Sequence, residues 1–92
     1  MAYKYHPEIE GLKINENGTA VLRFGNPLVI KQNKAHNYVL IHGKQYRIIR
    51  LICECWQGMA ENPRWIATKI DKNKALHYDN VVWMSKGKKA KN

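Results

Sequence analysis

The sequence predicts a small α+β domain: β-hairpins first, then one central helix, then a strand and a polar loop leading to a last element. Three observations carry this prediction. Short stretches rich in Val, Ile, Leu and Tyr alternate with Gly and Asn clusters through the first half, which marks strands joined by tight turns. Near Tyr46 the apolar residues change to helical spacing. A chain of 92 residues, 45% hydrophobic and 25% charged, has the length and composition of one globular domain spanning residues 1–92. Such a chain hides only about 60–65% of its unfolded surface, so its core is thin.

In order, "GLKI" is a short apolar–polar run and "NENG" a turn in which Gly18 can take positive φ. "TAVLRF" follows as a strand, "GNP" as a second turn and "LVIKQ" as a further strand before the polar loop "NKAHN". "YVLIHG" and "KQYRII" flank a tight turn at His42-Gly43. Ile48, Ile49, Leu51, Ile52, Cys55 and Trp56 then fall at helical spacings, with Arg47, Arg50 and Glu54 in the remaining positions. This gives a helix from about Arg47 to Gln57, stopped by Gly58. "MAENP" is loop, because Pro63 disfavours helix before it. "RWIATKID" reads as a strand, "KNK" as a polar turn, and "ALHY" as extended or irregular chain. "DNVVWMSKGKK" can begin a final helix capped by Asp79, and residues 86–92 form a basic tail with little to anchor it. The expected core is Leu51, Ile52, Trp56, Ile70, Val81 and Trp83.

The formal net charge is +9, which favours a polyanionic partner: DNA, RNA or an acidic protein. A basic but otherwise ordinary surface is the bland alternative. No apolar run approaches the length of a membrane span. The opening "MAYKYHPEIE" is polar and carries two acids, unlike a signal peptide, so the chain is expected to stay in the cytoplasm where it is made. Cys53 and Cys55 are two apart on a helix and face different sides, so they read as packed thiols in a reducing compartment. Zinc would need further ligands at suitable spacing, and the neighbouring sequence has none.

Three segments, in this order, resemble the small phage-type HNH homing endonucleases of the ββα-metal (His-Me finger) group. "IEGLKINENGTAV" is similar to the family's first Gly–apolar–x–apolar–polar run and turn. "NYVLIHGKQYRIIRLICECW" is similar to its hairpin-then-helix segment, and "IDKNKALHYDNVVW" to its "H-x-DGN…NL-x-W" segment. The resemblance covers most of the chain and implies a degenerate ββα motif at its end. Asp71 then stands for the family's turn aspartate, and Asn80 for the asparagine that holds the motif, followed by Val81 and Trp83. The general-base histidine would fall at Lys69 and a metal ligand at Thr68, while the histidine before the family's "RLVA" run would fall at Ile49. A last ligand on the final helix would fall near Lys89.

Those exchanges remove the chemistry. A general base must accept a proton near neutral pH, and an ordinary lysine ammonium already carries it. Magnesium needs hard oxygen ligands and is disfavoured by nearby ammonium groups. Without base and metal, several orders of magnitude of rate are lost. His77 is the one histidine in the motif, and to act as base it would have to reach back across the turn; it otherwise reads as a loop histidine. His6, His36 and His42 have no carboxylate at metal-ligand spacing in the sequence. No cofactor and no metal is therefore expected.

Positive charge stands in place of the catalytic groups: Lys69, Lys72 and Lys74 around the loop, then Lys86, Lys88 and Lys89 beyond it. A cleft shaped for a phosphate backbone, lined with lysines, attracts DNA without metal. The expected function is that of an inactive HNH-like DNA-binding protein of phage or mobile-element origin. Two readings stay beside it. One is a phage-encoded inhibitor that binds a host or phage nuclease, of anti-CRISPR or anti-restriction type. The other is a residual metal-dependent nuclease. The charge run "KGKKAK" also reads as a solvated tail. Trp56 and Trp83 read as core residues; Trp65, after the proline-bearing loop, is less constrained.

Overall fold

The computed structural model describes residues 2–34 and 36–85. Nine short strands and one helix follow one another: β1 Tyr3–Tyr5, β2 Leu12–Asn15, β3 Val21–Arg23, β4 Asn26–Pro27, β5 Lys31–Gln32, β6 Asn37–Ile41, β7 Lys44–Arg47, α1 Ile48–Trp56, β8 Ile66–Lys69 and β9 Val81–Met84. They form three small antiparallel sheets, ordered β1-β2-β3-β4, β5-β6-β7 and β8-β9. The chain is thus α+β, with strand hairpins around a central helix.

Turn chemistry places the hairpins. His42 and Gly43 both take positive φ, 53° and 77°, so a two-residue turn of the twist-matched kind joins β6 to β7. Between β3 and β4 the same geometry falls on Phe24 and Gly25, one residue earlier than "GNP" implied, and Asn26–Pro27 becomes strand. The Phe24 ring lies where a side chain on Gly11 would otherwise sit, and the Arg23 guanidinium lies 5.1 Å from its centre.

Leu12 and Ile14 of β2, Val21 of β3, Val39 and Ile41 of β6 and Val81 of β9 point inward from all three sheets onto Ile48, Leu51 and Ile52 of α1. Gly18 is where the β2–β3 turn passes closest to the helix. Its φ is +73°, and a Cβ there would lie 2.6 Å from Ile48 Cγ2 and 2.9 Å from Ile52 Cδ1. Gly18→Ala therefore adds backbone strain to overpacking and should cost roughly 2–4 kcal/mol, more than either effect alone. Urea unfolding measures this, and a loss under about 0.5 kcal/mol, the scale of a neutral surface change, would contradict the packing described.

One strand is added and three expectations are corrected. β1 extends the first sheet where the sequence showed only a polar opening; its pairing Tyr3↔Asn15 to Tyr5↔Lys13 supplies the order the local sequence lacks. The segment after Asp79 is not helix through residue 84: Val81 and Trp83 turn inward, Val82 and Met84 outward, and the β-branched pair favours the strand. Ile70 is 63% exposed rather than core, because it lies just past β8 where the chain enters the polar loop. Trp56 and Trp83 pack against the core only half-buried. Leu51, Ile52 and Val81 are buried as expected. Residues 86–92, with the basic tail, lie outside the described residues.

Candidate functional site

The β8–β9 hairpin encloses the loop from Ile70 to His77 and a 3-10 turn at Tyr78–Asn80. Asn80 organises it. Its side chain is nearly buried, and its Oδ1 accepts the Asp71 N–H at 2.9 Å. Its Nδ2 donates to the carbonyls of Asp71 and Ala75, each at 3.1 Å. One amide thus ties the first residue of the loop to its far side. The Asp71 carboxylate closes the turn by accepting the Asn73 N–H at 3.0 Å, and the Lys74 N–H donates to the Asp71 carbonyl at 3.2 Å. Asp71 and Asn80 therefore hold the loop together.

The helix and first sheet brace this hairpin from behind. Gln57, just past α1, donates to the Val81 and Tyr78 carbonyls at 2.6 and 3.2 Å. Trp83 Nε1 donates to the Gly58 carbonyl at 2.9 Å. Tyr78 stacks on Trp56 with ring centroids 4.4 Å apart, and its N–H donates to the Glu16 carbonyl. Trp83 is accordingly a clamp at the helix end rather than a fully buried core residue.

Lys69 ends β8 at the mouth of this braced loop, and Lys72 and Lys74 lie on the loop itself. The Lys69 ammonium donates to the Lys74 carbonyl at 3.0 Å, so its charge sits across the loop mouth and also fastens it. Lys72 and Lys74 are exposed. Lys86, Lys88 and Lys89 lie outside the described residues. Thr68 is half-buried in β8, opposite Val82. His77 does have a carboxylate neighbour: its Nδ1 lies 2.8 Å from Asp79 Oδ1, on the exposed side of the 3-10 turn. Asp79 is thus the partner of His77 and not the cap of a helix. Among the described residues no three His, Cys, Asp or Glu side chains gather as a metal-binding group.

A second cluster was invisible in the sequence. Glu54, assigned to the polar positions of the helix, is 2% exposed. His6 Nε2 lies 2.6 Å from its Oε1, and Arg50 Nε donates to its Oε2 at 2.7 Å. The Glu8 and Ile9 N–H groups both donate to His6 Nδ1, at 3.0 and 2.9 Å. The hydrogen on the ring is therefore at Nε2, aimed at Glu54. Burial alone would raise the Glu54 carboxyl, but hydrogen bonds from His6 and Arg50 outweigh it and hold the group below the usual carboxylate range. The sequence had left His6 without a carboxylate partner; the 48 residues separating the pair hid it. The one available signal was Arg50 standing four residues before Glu54 on the helix.

Cys53 and Cys55 are free and buried, as expected. Burial, with the charge of Glu54 beside them, pushes both thiols up to about 12, which makes them poor nucleophiles at neutral pH. No helix among the described residues is long and apolar enough to cross a membrane. No family model, curated protein or solved structure matches the chain.

Proposed function

We propose that this domain is a degenerate HNH-type protein that binds DNA through phosphates and does not cut it. The observation that carries the reading is the β8–β9 loop: Asn80 holds it in a fixed shape while Lys69 fills the position that the resemblance gives to the general base. An ammonium fastened to a loop carbonyl can attract a phosphate but is a poor proton acceptor. Lys72 and Lys74 beside it, and a net charge of +9, supply the sequence-independent attraction that dominates such binding.

The test is a duplex-binding titration across salt concentrations. Affinity should fall with a log–log slope of about 0.9 per phosphate neutralised. Lys72→Ala with Lys74→Ala should flatten that slope by about 2 and weaken unrelated duplexes alike. The Lys86, Lys88 and Lys89 triple alanine variant measures the tail's share in the same way. Plasmid incubated with magnesium or manganese should stay intact. No duplex binding at low salt, or metal-dependent nicking abolished by Lys69→Ala or His77→Ala, would overturn the reading.

One observation favours a second reading, an inhibitor that binds a host or phage nuclease. Ile66, Ile70, Val82 and Met84 are exposed together on the β8–β9 ribbon and its loop. A protein interface there would depend on single apolar hot spots rather than on pooled charge.

A further inference from the structure

Away from the lysine loop, a groove of about 880 Å³ lies between the first half of α1, the segment from Met59 to Trp65, and the near end of the β8–β9 ribbon. Arg47, Arg50 and Arg64 line it together with Trp65, Trp83 and Met59. Two acids also reach it, Glu8 and Glu54. Glu54 is already taken, one oxygen by His6 and the other by Arg50. Arg47 and Arg64 are exposed and make no ion pair among the described residues. With three arginines against two glutamates the groove keeps a small net positive charge, and Arg47 and Arg64 have no carboxylate in ion-pair contact among the described residues.

The backbone that carries Trp65 and the indole of Trp83 are held in place. Asn62 fixes the turn that carries Arg64 and Trp65: its Oδ1 accepts the Arg64 N–H at 2.9 Å and its carbonyl accepts the Trp65 N–H at 3.0 Å. Trp83 is fixed by its bond to Gly58. Both indoles are half-buried, so each keeps part of its surface for a ligand.

We propose that this groove is a subsite for unpaired nucleotides of a single-stranded nucleic acid, an assignment that rests on the nucleic-acid reading above and adds the form of the strand. Its volume falls within the range of small-ligand pockets, which suits about one or two nucleotides and not a duplex. Indoles beside unpaired guanidinium groups match a strand that presents both base faces and phosphates. In a duplex the base faces are covered by their neighbours, so only an unpaired base can use Trp65. An acidic peptide would use the arginines and leave the indoles idle. One strand connects the groove to the lysine loop: Ile66 lines the groove, and Lys69 lies three residues further along β8, about 10 Å away.

The experiment compares a labelled oligo-dT with a duplex, at low salt, for wild type and variants shown to melt like it. Arg47→Ala with Arg64→Ala, and separately Trp65→Ala, should each weaken oligo-dT binding about tenfold or more and leave duplex binding within about twofold. Trp65→Phe should keep most of the oligo-dT affinity, which separates stacking from a folding defect. Duplex binding with oligo-dT affinity unchanged in the groove variants overturns the subsite and leaves the phosphate reading standing. Groove-dependent oligo-dT binding without duplex binding does the reverse. No binding to either overturns both. Binding of polyglutamate that depends on the arginines but not on Trp65, and that displaces oligo-dT, overturns the subsite in favour of an acidic protein partner.

Discussion

Asn80→Ala is expected to destabilise the domain by roughly 2–4 kcal/mol and to weaken duplex binding with it. The substitution deprives the Asp71 N–H of its acceptor and the Ala75 carbonyl of its donor, and leaves the Asp71 carbonyl with the Lys74 N–H alone. Each polar group stranded without water costs about 1–3 kcal/mol, and the sum is reduced where the loop opens to solvent. That opening also scatters Lys69, Lys72 and Lys74, so the loss should reach the binding titration. Urea unfolding measures the first effect and hydrogen exchange at the Asp71 amide the second. Asn80→Asp is the sharper variant. It keeps an acceptor for the Asp71 N–H but sets a carboxylate against two carbonyls, so it should be no better than alanine. Wild-type stability in Asn80→Asp would mean that the amide donors hold nothing.

The second large effect belongs to the His6–Glu54 pair. His6→Ala should cost roughly 3–5 kcal/mol, because it leaves a buried carboxylate with only the half-exposed Arg50 as partner. It also removes the acceptor that the Glu8 and Ile9 N–H groups share. For a small domain this is a large share of the total stability. The pair also predicts a pH dependence. Glu54 is held below its unfolded value, so its contribution is complete above about pH 4.3, the ordinary glutamate pKa, and is lost as pH falls through the lower folded value. Thermal melts through that acid range should show wild type losing stability more steeply than Glu54→Gln. Equal slopes for the two proteins, or a loss under about 1 kcal/mol in His6→Ala at neutral pH, would show that the pair behaves as an exposed one.

The hairpins at His42-Gly43 and Gly18 were readable because their turns need residues that tolerate positive φ, and the sequence places glycine there. The helix was readable from its spacing, to within a residue at each end. Asn80 and Asp71 were readable only as positions in a resemblance; their hydrogen bonds explain why an amide and an acid stand there. What failed has a shared cause. β1, β9, the burial of Glu54 and the exposure of Ile70 all depend on which distant segment lies alongside. "VVWM" can serve a helix or a strand until β8 is beside it.

The sequence by itself determined the class of fold, the central helix, most turns and a strongly positive charge. These follow from local backbone preference and composition, which act within a few residues. The tertiary structure alone decided that His6 reaches Glu54, that Lys69 bridges the loop to Lys74, and that three arginines and two indoles share one groove. The first and the last of these join side chains whose positions are set by α1 and by separate segments packed on it. Only the closing of the chain around that helix brings such groups within the few ångströms over which hydrogen bonds and ion pairs act.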